Sequence, residues 1–328
     1  MKDVKPNRDF TMAEVAEGVY VWLAPNGSWG MSNAGLVLSQ NESMIVDTMF
    51  DLDLTRSMLG AMAAIEPQIK ESVDVLINTH ANGDHCHGNE LVPTKRVIAS
   101  EETATEMHEL PPAALHAMVK RFKGNSSALG QYIQWAFGDF DFSNISIRLP
   151  TETFTKEMSI SIGDLEIELI EVGPAHTRGD VIAYIPSRNV VFTGDILFNL
   201  ETPIMWSGPV DNWIAACDRI ALFDAVTIPG HGPITGRKGA LEMRDYWILL
   251  RDQTRERFEE GMSVFDAARD IDLGSYDGWG GSERVFLNVN SLYREFGSQN
   301  VVEDVMEIFA EMGATFIRKN RLPANQSD

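Results

Sequence analysis

Apolar and polar residues alternate over residues 17–24 and 34–48, with β-branched side chains recurring as strands require. The period then lengthens. Leu54, Met58, Leu59, Met62 and Ile65 fall three and four residues apart, which predicts a helix over 53–66. An apolar run at 73–78 reads as a buried strand, and further strands are expected at 145–148, 157–161, 165–171, 181–185 and 189–193. Residues 101–142 are mostly helical in pattern, interrupted at Pro111-Pro112 and at Gly124-Asn125-Ser126-Ser127. A helix over 211–222 should turn Trp213 inward.

After Gly236 the strands stop. Leu241, Met243, Trp247, Leu249 and Leu250 begin a long amphipathic helix that runs through Phe258, and Ser263 with Asp266 forms a capping box opening another. A turn at 277–281 and two helices, 283–296 and 302–319, complete the pattern, with a polar tail after Leu322 that should fray. The organisation expected is a strand-rich unit over 1–235 with a helical insertion at about 101–142, then a helical extension over 236–328. The insertion could fold over a cleft. The extension could brace the first unit, line the cleft or make a homo-oligomer interface.

Composition changes this picture only in its partners. A chain of 328 residues that is 44% hydrophobic can bury a substantial core. It has no apolar run long enough to cross a bilayer and no charged-then-apolar leader at residues 1–5, so a cytoplasmic protein without membrane attachment is expected. Cys86 and Cys217 lie far apart and suggest no disulfide framework. A net charge of −21 repels polyphosphate backbones at long range, which argues against nucleic acid and for a small neutral or cationic substrate.

The chemistry is concentrated in turns. Directly after the run at 73–78, Thr79-His80-Ala81-Asn82-Gly83-Asp84-His85 places two imidazoles, a carboxylate and a side-chain amide together. Neutral imidazole and carboxylate suit zinc and related ions, and a tight turn can aim alternate side chains at one centre. Of the seven histidines, three sit in or beside this turn and two more in similar turns, His176 within 173–180 and His231 within 228–233; between those, Val191-Phe192-Thr193-Gly194-Asp195 ends another strand-like run in a carboxylate. By their surroundings, His87 reads as a support or helix-start residue and Cys86 as a small packed hydrophobe. Asp180 reads as a support for the His176 turn, while His108 and His116 lie in a helical stretch with no partner motif.

H-x-N-x-D-H, then G-x-x-H-T-x-G-D, T-G-D and P-G-H-G-P, in that order, resemble the metal motifs of the metallo-β-lactamase superfamily of hydrolases. Ser32-Asn33-Ala34-Gly35 and Ile45-Val46-Asp47-Thr48 are similar to its first strands and the structural Asp near the metals, so the resemblance spans roughly residues 14–235. It implies an α/β fold, the αββα metallo-β-lactamase sandwich with a metal cleft at one edge of its two sheets. It implies also a first metal site of His80, Asn82 and His176, a second of Asp84, His85 and His231, and Asp195 bridging both. Asn82 departs from the family pattern, in which histidine is usual. An amide oxygen is a weaker donor than imidazole, so three outcomes compete: the amide coordinates, the first site is partly empty, or His87 swings in. The first fits best because His80, His176 and Asp195 all remain. The expected cofactor is Zn²⁺, two ions per chain or one, with iron and manganese open as alternatives.

The resemblance implies a metal-dependent hydrolase in which a zinc-activated hydroxide attacks a small ester, lactone, amide or similarly activated substrate, with Asp84 ligating and orienting the nucleophile. Trp29, in a loop where relatives carry a mobile flap, could cover an apolar or aromatic substrate, with Trp135, Phe137 and Trp206 adding aromatic wall and Asn199 assisting the oxyanion. The alternatives are an iron-dependent redox enzyme of the same fold and a non-catalytic binding protein whose first metal site has decayed.

Overall fold

The computed structural model describes residues 9–25 and 29–321. The leader expected absent at 1–5, residues 26–28 of the loop before Trp29, and the tail at 322–328 lie outside the described residues. Two sheets are built in chain order. The first runs β1 (Thr11–Ala16), β2 (Val19–Leu23), β3 (Ala34–Ser39), β4 (Glu42–Val46), β5 (Val75–Ile77), β6 (Val97–Ser100) and β7 (Glu152–Phe154). Its first half is an antiparallel meander and its second half, from β4 onward, is parallel. The second sheet has β8 (Glu157–Ile162), β9 (Leu165–Glu171), β10 (Val181–Ile185), β11 (Val190–Phe192) and β12 (Val226–Ile228), in the order β12-β11-β10-β9-β8.

The alternating strands explain the sandwich. In β9 the residues facing inward, Leu165, Ile167 and Leu169, meet Val21, Val37 and Ile77 from the first sheet in one buried cluster, together with Phe192 and Ile228. Each such side chain contributes roughly 1.5–3 kcal/mol on leaving water. The parallel strands β5 and β11 are short and buried along their whole length, as strands covered on both faces must be. Parallel pairing needs a crossover, and α1 (Leu52–Ile65) supplies the one between β4 and β5, its first turn capped by the Asp51 carboxylate accepting from Leu54 N.

The helical layers carry the larger core. The one-turn helix α2 (Gly83–Cys86) follows β5, and the insertion folds as α3 (Glu101–Glu106), α4 (Pro112–Phe122) and α5 (Ala128–Phe137), broken near the expected Pro-Pro and Gly-Asn-Ser-Ser stretches. α6 (Val210–Phe223) follows, with Trp213 buried on its inner face. α7 (Arg237–Glu259), α8 (Val264–Asp270), α9 (Val285–Glu295) and α10 (Val305–Arg321) form the rest. Ser263 is the N-cap of α8, its Oγ accepting from Asp266 N at 3.2 Å and donating to Asp266 Oδ2 at 2.7 Å. The insertion and the last helix pack on each other, with Trp135 and Phe316 rings 4.2 Å apart and Tyr132 and Phe309 at 6.2 Å. No helix among the described residues is long and apolar enough to cross a membrane.

One expected strand is corrected. Residues 145–148 join no sheet; Arg148 there donates instead to the carbonyls of Val92, at 2.8 Å, and of Thr94, which ties the segment to the loop before β6. The strand that pairs with β6 comes a few residues later, as β7. β6 and β7 are three or four residues long, too short for a period to show.

Candidate metal centre and cavity

Four strand ends converge. His80, Asn82, Asp84 and His85 follow β5, His176 follows β9, Asp195 follows β11 and His231 follows β12. The loops are locked to one another by backbone groups: Val181 N donates to Thr79 O at 2.8 Å, and Gly230 N to Gly194 O at 2.8 Å. Asn33 fixes the His231 turn from the first sheet, its Nδ2 donating to the carbonyls of Pro229 and Gly232, both at 2.9 Å. Gly230 is glycine for a steric reason, since a Cβ there would collide with the Asp195 carboxylate.

Hydrogen bonds set each ring. His176 Nδ1 donates to Ile204 O at 2.6 Å, His231 Nδ1 to Met31 O at 3.1 Å and His85 Nδ1 to Asp47 Oδ2 at 2.9 Å. Asp47 also accepts from Thr79 N and from Thr79 Oγ1, whose oxygen lies 3.0 Å from His80 Nδ1. Every Nδ1 is thereby engaged and every Nε2 is turned toward the centre, the arrangement that orients histidine for metal binding. Asp195 Oδ2 lies 3.3 Å from both His176 Nε2 and His231 Nε2, and Asp84 Oδ2 lies 3.3 Å from His231 Nε2.

The inner atoms lack partners. His85 Nε2 and Asp195 Oδ1 are 3.1 Å apart, yet neither is aligned for a hydrogen bond, and His80 Nε2 has none either; all three atoms are buried. Buried polar atoms of this kind are costly unless something satisfies them. A cation does. The ligand atoms of His80, His85 and Asp195 lie within 4.8 Å of one another, as do those of Asp84, His85 and His231.

Electrostatics point the same way. Burial disfavours the charged ring and holds His80 well below its ordinary pKa. At His85 the same burial is outweighed by Asp195, Asp47 and Asp84, which raise it well above the ordinary value, and Asp195 with Asp84 lifts His231 to about 9. Burial also pushes the Asp84 carboxyl up, but His85 and His231 overcome it and hold Asp84 down at about 2. The buried carboxylates demand positive charge in their midst, which a divalent cation meets.

The two expected sets are not equivalent. Asp84, His85 and His231 close on each other, but Asn82 Nδ2 lies 3.0 Å from His176 Nε2 and donates to it, occupying the lone pair that a first-site ion would need. Rotating the amide presents its oxygen instead. His87, the other expected candidate, is buried, with Nδ1 directed to Phe50 O at 3.3 Å and its ring stacked on Phe50. Asp180 supports the His176 turn, accepting from Thr177 N at 2.9 Å and from Thr177 Oγ1 at 2.7 Å.

Asn82, Asp84, His176, Asp195 and His231 form the floor of a cavity of about 380 Å³, with His80 and His85 buried behind them. Its walls are mostly apolar. Trp29, Trp206 and Phe137 line it as expected, joined by Leu110, Leu115 and Met118 of the insertion and by Val305, Met306 and Phe309 of the last helix. Trp29 is tied down, its Nε1 donating to Tyr132 Oη at 3.0 Å. Asn199 stays outside the cavity lining: its amide donates to Pro233 O at 2.8 Å, bracing the His231 turn rather than facing a substrate. Trp135 packs on Phe316 away from the lining. Arg284, Phe309 and Leu115 had no sequence signal as site residues, since Leu115 and Phe309 belong to ordinary amphipathic helices and Arg284 to the short turn that leads into α9 until the fold brings them here.

A metallo-beta-lactamase superfamily model matches residues 27–231, and the chain belongs to that superfamily. The alpha subunit of 2,4-dinitroanisole O-demethylase from Nocardioides sp. (strain JS1661) is 24% identical over 262 residues, covering 77% of this chain and 59% of that one. The stereoselective inverting sec-alkylsulfatase Pisa1 from Pseudomonas sp. has the same fold at 17% identity, with a TM-score of 0.66 over 88% of this chain and 50% of its own. A metallo-beta-lactamase from Pontibacter korlensis aligns at 19% identity and a TM-score of 0.52, over 73% of this chain and 99% of that one. The chain thus spans about half the length of the alkylsulfatase and about three-fifths of the demethylase subunit.

Proposed function

We propose that this protein is a divalent-metal-dependent hydrolase, zinc being the first candidate ion, that cleaves a small ester or a similarly activated carbon–oxygen linkage in a substrate with an apolar or aromatic body. The observation that carries the reading is the facing pair of unpartnered buried atoms, His85 Nε2 and Asp195 Oδ1, with Asp195 on the floor of a largely apolar cavity and His85 directly behind it. Such a floor is built to hold a cation where a substrate is desolvated. When bound, divalent ions at such a centre supply a Lewis acid and lower the pKa of water to about 7.

The chain's own residues define the rest. His80, Asp84, His85, His176, Asp195 and His231 would hold the ions, two per chain when Asn82 presents its oxygen and one when its amide nitrogen stays on His176. Asp84, held ionised, is placed to accept a proton from the attacking water or to orient it. Asp47 fixes His85 and Thr79, so it positions the ligands without touching substrate. Phe137, Phe309 and Leu115 exclude water and seat an apolar body.

The substrate class draws support from relatives. One is named for demethylating the oxygen of a nitroaromatic ether and another for acting on secondary alkyl sulfates, both small molecules with an oxygen-linked group. The test is elemental analysis of purified protein followed by assays on phenyl acetate and dihydrocoumarin. Turnover that tracks zinc content and vanishes on chelation is expected. A protein that takes up no divalent ion, or a fully loaded one inert toward aryl esters and lactones, overturns the reading; iron as the bound ion redirects it to redox chemistry.

A further inference from the structure

The cavity wall contains one arginine and no lysine among the described residues, and that arginine is almost wholly enclosed. Arg284, at the start of α9, is 2% exposed. Its guanidinium carries five N–H groups. One finds an acceptor in range, Nη1 donating to Thr202 O at 2.9 Å, while Nε is buried without a partner. The nearest carboxylate, Glu201, stands at the 4.0 Å limit of an ion pair, and the adjacent Glu283 accepts from Tyr132 Oη. The charge rests instead on aromatic faces, 4.9 Å from the Trp29 ring centroid and 5.9 Å from that of Phe198. A buried guanidinium so incompletely paired is expensive unless an anion completes it.

Its position relative to the metal floor is set by one side chain. The Phe198 ring that lies under Arg284 is also stacked on His231, 4.9 Å away and nearly parallel. The ligand histidine and the guanidinium are therefore separated by the width of one aromatic residue. The other charged groups of the lining are already matched: Arg178 N donates to Glu106 at 3.0 Å and its guanidinium pairs with Glu109 at 2.6 Å.

We propose that Arg284 is a specificity-determining residue that binds a carboxylate on the substrate, about one aromatic ring away from the bond that is cleaved. The inference rests on the hydrolase reading above and narrows it to monoanionic aryl esters. Planar guanidinium matches planar carboxylate through paired hydrogen bonds, which gives geometric selection as well as attraction. It also revises the expectation drawn from overall charge. A chain with a net charge of −21 repels anions at a distance, but inside the cavity the local field of Arg284 and of a metal centre decides.

The test compares 4-acetoxybenzoate with its neutral isostere 4-acetoxybenzamide on the metal-loaded protein, in wild type, Arg284→Gln and Arg284→Lys. Wild type should prefer the carboxylate by roughly 10- to 100-fold in kcat/KM, the span expected for a charge-assisted pair. Arg284→Gln should erase that preference through a higher KM for the carboxylate alone, and Arg284→Lys should retain part of it. A wild type that treats the two alike overturns the proposal whatever the variants do, and so do equal losses on both esters in a variant whose circular dichroism matches wild type. Calorimetric titration with the products 4-hydroxybenzoate and 4-hydroxybenzamide requires no turnover. If the acid binds at least tenfold tighter and Arg284→Gln abolishes this while no ester is hydrolysed, the anion site stands and the hydrolase reading falls.

Discussion

The floor and the wall of the cavity are built on different physical principles. Every histidine ligand at the floor is held by a directed contact: Asp47 alone fixes His85 and Thr79, Thr79 in turn holds His80, and the Nδ1 atoms of His176 and His231 are each committed to a named carbonyl. The wall has almost none of this. Leu115, Met118, Phe137 and Phe309 come from three helices and touch through undirected packing, with ring centroids such as those of Phe137 and Phe309 6.4 Å apart. Directed contacts make a geometry that one atom can ruin, whereas packing tolerates exchange of similar volumes. Chemistry should therefore be fragile at the floor and selectivity adjustable at the wall.

The sharpest way to break the comparison is at Asp84. Asp84→Ala should lower turnover by about 10²- to 10⁴-fold, with the fold intact by circular dichroism; a variant that keeps both full metal content and full activity removes Asp84 from the mechanism. The junction of floor and wall is His87, packed on Phe50. Burial depresses its pKa from 6.5 to about 4, with the Phe50 carbonyl and Asp84 opposing. The folded state therefore binds its proton less readily than the unfolded chain, so this stability is present above about pH 6.5 and is lost as pH falls toward 4. The loss should reach about 2 kcal/mol at pH 5 in urea unfolding. His87→Asn should flatten that dependence, and an unchanged slope would assign it to other groups.

Asn82 tests how closely tuned the floor is. Asn82→His replaces the amide that sits on His176 Nε2 with a stronger ligand, so first-site affinity should rise about tenfold in competition with a chelating dye. Identical affinity in the two proteins would show that position 82 is not a ligand. The smallest effect belongs to the wall. Phe309→Leu keeps an apolar side chain but loses the ring contact with Trp29 at 5.9 Å, so KM for an apolar ester should rise by roughly 2- to 10-fold with kcat nearly unchanged. A larger fall in kcat than in affinity would mean that the wall also orients the reaction.

The same division governs what was legible beforehand. The floor could be read because its chemistry requires particular residue types at strand ends: H-x-N-x-D-H supplies four candidates from one turn, and His176, Asp195 and His231 each stand in a short motif after a strand. The strands β8, β9 and β10 and the long helix α7 were visible through their periods. β6 and β7 were not, being too short to show one. Asn199, expected to assist the oxyanion, instead donates its amide to Pro233 O, a contact between turns that residue type alone does not reveal.

By itself the sequence determined the superfamily, the order of the ligand loops and the departure at Asn82, because those depend on side-chain type and local spacing. Tertiary structure alone decided that helices about 175 residues apart share one wall, that Asn82 rests on His176, and that a buried Arg284 faces the space above the ligands. These are contacts between distant segments. An amphipathic helix announces that it has an apolar face, but only packing says what that face will cover.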